Sequence, residues 1–181
     1  MDNTIINLRR AGEYFMHSIW IQCQMSDLII LKTHPEFIEN FINDPTRIPE
    51  QMRSYRISYW EKQFYSVKEE FKQIFEGFLV EEDIEDLEYV YQMRNAIAHS
   101  HISLGRDYFL FRPARGEQQE KGIKETFKLK PKEDASDPMV VKLTFHDDAR
   151  YFQDFNRIKR LDEICFERLS NIIGIPHSKI R

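Results

Sequence analysis

Residues 84–100 read IEDLEYVYQMRNAIAHS, and their apolar side chains recur at helical spacing. At about 100° per residue, these side chains fill one half of a helical wheel that starts at Ile84. The acidic residues at the beginning of the segment complement the positive end of a helix dipole. The pattern therefore predicts a helix from about Ile84 to Ser100 with its apolar half turned toward a core.

Arg94 lies near the middle of that apolar half. Arginine is almost never fully buried without a partner, because an unpaired charge in a core is strongly destabilising. One interpretation is a structural ion pair with a carboxylate from another helix. The other is a bound anion, since the planar guanidinium donates hydrogen bonds to phosphate in pairs.

Asn95 and His99 lie together on one flank of the same predicted helix, one turn apart. An imidazole titrates near neutral pH and can take or give a proton, and an amide can hold a phosphoryl oxygen. Cleavage of RNA without a metal needs a base, an acid and positive charge on the reacting phosphate. Arg94, Asn95 and His99 are therefore the candidate catalytic residues.

The rest of the chain is predicted to be mainly α. Apolar residues recur at helical spacing in four further segments, at about 3–32, 35–42, 54–78 and 147–173. Long helices with one apolar stripe favour an up-and-down bundle of four to five helices. We expect a single helical domain over residues 1–181.

A small antiparallel β insert is predicted before the last helix, over about residues 106–146. Three stretches in it are rich in β-branched and aromatic residues, at 108–111, 123–129 and 139–145. The last two alternate apolar with polar residues, which is typical of strands with one buried face.

Basic residues are concentrated in the same insert. From Arg112 to Lys132 there are seven basic residues and three acidic ones. Candidate RNA contacts are His101, Arg112, Arg115, Lys121 and Lys124. The alternative, which charge runs generally favour, is a solvated loop and the polar face of a hairpin. For His101 the alternative is an exposed residue at the helix end.

Composition and charge exclude several classes of protein. The chain is 41% hydrophobic and 31% charged, which is typical of a folded protein. Its formal net charge of −4 argues against a protein that coats nucleic acid through bulk charge. No apolar run reaches the length of a membrane span, and no secretory signal is evident. We expect a cytoplasmic protein with no membrane contact.

No metal or cofactor is predicted. His99 and His101 form an H-x-H pair, but no cysteine or carboxylate follows them at ligand spacing. The chain has no Gly-rich phosphate loop. Cys23 and Cys165 are too far apart in sequence for a zinc motif or a disulfide framework, and both fit helical patterns as small core residues.

The segment Arg94–His99, RNAIAH, resembles the active-site motif of the HEPN superfamily (higher eukaryotes and prokaryotes nucleotide-binding). Catalytic members carry an arginine, a polar residue directly after it, and a histidine four to six positions beyond the arginine. Arg94, Asn95 and His99 match this pattern position by position. The β insert is not part of the minimal family pattern.

The resemblance implies a four- or five-helix bundle and a homodimer in which both motifs face a shared cleft. It also implies a metal-independent endoribonuclease, often part of a toxin–antitoxin, abortive-infection or other antiviral system. Such a protein has RNA as its substrate and an antitoxin or regulatory protein as a possible partner. Other members of the superfamily lack activity and serve as scaffolds or binding modules.

A dimer is also favoured by helix geometry. Arg94 and His99 point about 140° apart on one helix, so a single copy makes a poor pocket for one phosphate. Two copies related by a two-fold axis can place both residue types around one cleft. One His99 would then act as base and the other as acid, while Arg94 stabilises the phosphorane and Asn95 orients the phosphate or the imidazole.

Two alternatives to the nuclease stay open at this point. In the first, the chain is a non-catalytic helical binding module in which Arg94 and His99 are structural. In the second, it binds a nucleotide or a protein partner and works with a nucleotidyltransferase or an antitoxin.

Overall fold

The computed structural model describes residues 2–43, 48–102, 106–112, 117–128 and 140–180. These residues are mainly helical, and a three-stranded antiparallel sheet precedes the last long helix. The predicted fold class is thereby confirmed. No helix in the described part of the chain is both long enough and apolar enough to cross a membrane.

The α-helices are α1 (Asn3–Thr33), α2 (Ile38–Asn43), α3 (Glu50–Trp60), α4 (Phe64–Ile74), α5 (Glu81–Ala98), α6 (Glu117–Thr126), α7 (Asp148–Arg160) and α8 (Glu167–Ile172). Short 3₁₀ turns occupy Pro35–Phe37 and His177–Lys179, and a π-helical segment, Leu161–Phe166, joins α7 to α8. The strands are β1 (Ser100–His101), β2 (Phe109–Phe111) and β3 (Val141–Leu143).

The chain groups into two compact units. The first contains the residues up to His17 and those from Glu88 to Asn156, and the second contains Ser18–Leu87 and Arg157–Arg181. The candidate catalytic residues all belong to the first unit. Each unit has its own buried side chains.

The first unit is built around the sheet, whose strand order is β1-β2-β3. One sheet face is buried and apolar, and it carries Phe109, Phe111, Val141 and Leu143. The buried side chain of Asn7 in α1 holds the sheet from one side. Its amide donates to the Asp107 carbonyl, and its carbonyl accepts from the backbone N–H of Phe145.

The second unit packs aromatic residues of α4 against the π-helical segment, where the rings of Phe71 and Phe166 lie 5.6 Å apart. Charged groups inside it are paired. Asp86, almost fully buried, accepts hydrogen bonds from Arg157 at 2.6 Å and Arg160 at 2.7 Å. Arg56 makes a bidentate pair with Asp27, with both contacts at 2.7 Å.

One long helix was predicted over residues 54–78, and this prediction is wrong, because the chain turns between α3 and α4. The Tyr59 hydroxyl and the Lys62 ammonium both reach Glu70, at 2.6 and 2.7 Å. Gln22 donates to the Lys62 carbonyl at 3.1 Å, so a carbonyl at the turn has a partner. Trp60, one of the apolar residues at helical spacing in this segment, is 65% exposed.

The predicted strand at 123–129 is also wrong, because residues up to Thr126 belong to helix α6. Ile123 and Phe127 are both buried, and they are four positions apart, which places them on one side of a helical turn. The Phe127 ring contacts the Tyr89 ring edge-on at 5.9 Å. Two apolar residues four positions apart fit one face of a strand as well as one side of a short helix. Packing against α5 selects the helix.

The predictions for the remaining elements are close to the structure. The first helix was predicted over about 3–32 and extends over Asn3–Thr33. The last was predicted over about 147–173 and covers α7, the π-helical segment and α8. Gly174, with φ of 82°, ends it in the left-handed conformation that glycine tolerates.

Candidate active site at the end of helix α5

The buried face of α5 differs from the apolar half of the helical wheel that was predicted to face the core. Tyr89, Met93 and Ala96 are buried, whereas Ile84, which was placed in the apolar half, is 41% exposed. The centre of the buried face is therefore rotated away from Arg94. As a result Arg94 lies at the border of the core, and its side chain is half-buried rather than fully enclosed.

The guanidinium of Arg94 rests on an aromatic ring. Its Cζ lies 5.4 Å from the centroid of the Phe15 ring in α1. Its Nη1 donates to Oδ1 of Asn95 at 3.0 Å. Its Nε is buried and has no hydrogen-bond partner among the described residues. The ring and the amide orient this cation, but both are neutral groups.

The carboxylate predicted for a structural ion pair is not found: Arg94 forms no ion pair with any described residue. Arginines elsewhere in the described chain do form such pairs, including Arg56, Arg157, Arg160 and Arg168. A half-buried cation without a carboxylate favours a bound anion, because the anion supplies the missing charge and hydrogen bonds.

His99 lies one residue beyond α5, and its backbone N–H donates to the Asn95 carbonyl at 3.0 Å, as in a helical turn. Its side chain is exposed, while that of Asn95 is half-buried. The imidazole is thus accessible to a ligand. Within one chain, Arg94 at the core border and His99 in solvent face different surroundings, as the wheel predicts.

The sheet begins directly after His99. Ser100 of β1 pairs with Phe111 of β2, and His101 pairs with Leu110. Arg112 directly follows Phe111, the partner of Ser100, and Ser100 directly follows His99. In antiparallel pairs, directly opposite Cα atoms are about 4.5–5.5 Å apart. The structure therefore brings Arg112, thirteen positions later in sequence, to the histidine end of the motif.

The other candidate RNA contacts are distributed differently. His101 is exposed on β1. Lys121 and Lys124 lie on α6, and the Lys121 ammonium is 3.9 Å from the Glu125 carboxylate one turn away. These two lysines are helical residues, not the polar face of a hairpin. Arg115 lies outside the described residues.

Sequence reasoning missed three residues of this region. Phe15, the ring under Arg94, belongs to α1, and no pattern in α1 marks it as a partner of α5. Arg106 and Lys142 lie within 5.5 and 5.1 Å of the Tyr108 ring. Alternation on β3 could have placed Lys142 on the solvent side, but only the strand register places it beside Tyr108.

Cysteine and metal chemistry find little support in the described residues. Burial raises the pKa of the Cys165 thiol well above its usual range, and it also raises that of Cys23. Both thiols are therefore protonated and weakly nucleophilic near neutral pH. The described residues contain no group of three or more His, Cys, Asp or Glu side chains arranged to hold a metal ion.

Comparisons with protein-family models, with curated proteins and with solved structures found no match to this chain.

Proposed function

We propose that this chain is a metal-independent endoribonuclease that works as a homodimer. The observation that carries the proposal is the Arg94 guanidinium, which is held on the Phe15 ring and has no carboxylate partner among the described residues, five residues before an exposed His99. An RNA phosphodiester fits both groups, because its phosphate supplies negative charge to the arginine, while the neighbouring 2′-hydroxyl and the leaving 5′ oxygen exchange protons with histidine. The RNAIAH motif points to the same chemistry.

In the proposed reaction the ribose 2′-hydroxyl attacks the adjacent phosphorus. One His99 takes the proton of that hydroxyl as the new P–O bond forms. The bond from phosphorus to the 5′ oxygen then breaks, and the second His99 gives that oxygen a proton. The products are a 2′,3′-cyclic phosphate and a 5′-hydroxyl, so atoms and protons balance. Arg94 stabilises the extra negative charge of the phosphorane.

A second copy of the chain has a suitable surface in α1. Ile5, Leu8, Gly12 and Met16 share one side of this helix, and all four are exposed. An exposed apolar stripe is typical of a protein–protein contact, and a glycine at its centre allows close approach of another helix. Phe15, the ring under Arg94, follows Leu8 by two helical turns. A dimer through this stripe would therefore form next to the candidate site.

The proposed setting is a cytoplasmic toxin or antiviral defence effector that an antitoxin or regulatory protein restrains. A non-catalytic binding module is the second candidate. The Arg94–Asn95 hydrogen bond favours it, because a purely structural role would also tie these two side chains together.

The decisive experiment is RNA cleavage by the full chain in excess chelator. We expect the wild type to cleave and to leave 2′,3′-cyclic phosphate ends. His99→Ala and Arg94→Ala should each lower the rate about 100-fold or more, the usual contribution of a positioned acid, base or charge. His34→Ala and Arg53→Ala are matched controls, since neither residue belongs to the candidate site.

Two results would contradict the nuclease. One is a wild-type protein that is inert on RNAs of varied sequence and structure. The other is a folded His99→Ala protein that cleaves as fast as the wild type. RNA binding without cleavage, unchanged by His99→Ala, would support the binding module instead.

A further inference from the structure

The sheet has a second face, opposite to its apolar one. Side chains alternate along a strand, so the residues between the buried ones project to this other side. His101, Leu110 and Lys142 are paired in register and form one row across the three strands. Tyr108 and Arg112 lie two residues before and after Leu110 on the same stretch of chain as β2. We call this set, together with Arg106, the basic sheet face.

Three cations of the basic sheet face have no acidic partner among the residues that the structure describes. Arg106, Arg112 and Lys142 are exposed, and none forms an ion pair with a described residue. Elsewhere in the first unit, by contrast, Arg10 is paired with Asp148 at 2.5 Å. Three exposed cations on one small surface attract a polyanion, although the whole chain carries a net charge of −4.

Two of these cations lie close to one aromatic ring. The Arg106 Cζ is 5.5 Å and the Lys142 Nζ 5.1 Å from the centroid of the half-buried Tyr108 ring. Arg106 also donates a hydrogen bond to the Tyr108 hydroxyl. A ring flanked by cations is suited to a nucleotide, because the base stacks on the ring while the cations hold its phosphates.

The basic sheet face leads to the candidate active site. His101 is two residues after His99, a separation of about 7 Å along a strand. Arg112 directly follows Phe111, which pairs with Ser100, the residue after His99. A strand of nucleic acid on this face is thus directed to the histidine.

We propose that the basic sheet face binds single-stranded RNA, with one base on Tyr108 and the backbone held by Arg106, Lys142 and Arg112. The choice of RNA rests on the proposed function. Single-stranded RNA fits better than a duplex, because its bases are free to stack on a side chain, whereas an A-form duplex keeps them inside. The basic sheet face does not include the lysines of α6.

The test uses the full chain with His99→Ala, so that RNA is not consumed during binding. Binding of a short fluorescein-labelled oligouridylate is measured by anisotropy over a range of salt concentrations. We expect Arg106→Ala/Lys142→Ala to weaken binding by roughly tenfold or more. The slope of log affinity against log salt should become shallower by about 0.7 for each phosphate that the variant no longer neutralises.

Tyr108 is tested in the same way. Tyr108→Ala should weaken binding by roughly fivefold or more, since a base can no longer stack on an aromatic ring at this position. Tyr108→Phe keeps the ring and should bind almost as the parent does. Arg53→Ala/Lys159→Ala removes two exposed cations of the second unit and should change neither affinity nor salt slope.

The inference is overturned if the sheet variants bind like the parent, if the control pair weakens binding equally, or if an RNA duplex binds more tightly than the oligouridylate. It is separable from the nuclease proposal. If the wild type cleaves RNA and the sheet variants have the same KM, the nuclease proposal stands and this inference fails. If RNA binding depends on the basic sheet face but no RNA is cleaved, this inference stands and the nuclease proposal fails.

Discussion

The guanidinium of Arg94 lies over the ring of Phe15, with 5.4 Å between Cζ and the ring centroid. This contact joins the first helix to the motif helix within one unit. It gives a half-buried cation an attractive partner that has no negative charge of its own. The guanidinium is therefore positioned and still able to take an anion.

Phe15 is accordingly expected to act as a positioning residue for Arg94. Phe15→Leu keeps an apolar side chain but removes the π face, an interaction of about 0.5–2 kcal/mol. In RNA cleavage, kcat should fall by roughly 2- to 30-fold, with a smaller change in KM. Phe15→Tyr should restore the rate, because it restores the ring. An equally fast Phe15→Leu protein of normal stability would show that the contact has no role in catalysis.

Gly12 lies in the exposed apolar stripe of α1. A Cβ at this position would meet nothing within 4 Å. At protein concentrations low enough to dissociate the proposed dimer, Gly12→Ala should therefore raise the free energy of unfolding by roughly 0.5–1 kcal/mol, since alanine favours a helix interior more than glycine does. Denaturant unfolding, followed by circular dichroism, measures this change.

Gly12→Lys tests the dimer itself. A charged side chain on the stripe should convert a dimer to a folded monomer and reduce RNA cleavage, as measured by light scattering and by the cleavage rate. Gly77→Lys is the matched control, because Gly77 is also exposed and has nothing within 4 Å of its Cβ position. A wild type that is already monomeric, or a Gly12→Lys protein that stays dimeric, would rule out this interface.

Protonation of the Glu70 carboxylate is expected to lower the stability of the fold at acid pH. Burial acts to raise the pKa of its carboxyl, but hydrogen bonds from Lys62 and Tyr59 outweigh it, so the pKa lies below its usual range. A group with a lowered folded-state pKa stabilises the fold above its unfolded pKa, and that contribution disappears as pH falls through the folded value. For a glutamate this decline begins below about pH 4.5.

The corresponding variant is Glu70→Gln. It should be less stable than the wild type at pH 7, and the difference should narrow as the solution is acidified below about pH 4.5. Urea unfolding at several pH values measures this. Glu61→Gln, at an exposed position beside the same turn, should follow the wild-type pH profile. Parallel profiles for Glu70→Gln and the wild type would show that the Glu70 contacts do not form.

Asp86 anchors two arginines in the second unit. Its carboxylate is 3% exposed, whereas the side chains of Arg157 and Arg160 are 30% and 19% exposed. Asp86→Ala leaves both cations without this partner and should lower the free energy of unfolding by about 2–4 kcal/mol, somewhat below the full value for a buried pair. Asp148→Ala breaks an Asp–Arg pair at a 75% exposed carboxylate and should cost less than about 1 kcal/mol. Equal losses of stability for the two variants would contradict the assigned difference in burial.

The sequence alone determined the helices whose apolar period is long and uninterrupted. The bounds of α1 follow from its spacing, and His34-Pro35 ends it because the residue before a proline avoids helical backbone. The same reasoning identified Arg94, Asn95 and His99 as a group, since their spacing on one helix is a local property. Local periodicity is enough for such features because each depends on residues within a few turns.

Only the tertiary structure decided the features that depend on distant partners. The turn between α3 and α4 depends on Glu70 and Gln22, and the helical state of Ile123 depends on packing near Tyr89. The burial of α5 was misjudged at Ile84 for the same reason, because neighbouring elements select which side of a helix is covered. The position of Phe15 under Arg94, of Arg112 near the histidine end of the motif and of Lys142 beside Tyr108 depends on packing and strand register. No local pattern encodes these relationships, because each one joins segments that only the folded chain brings together.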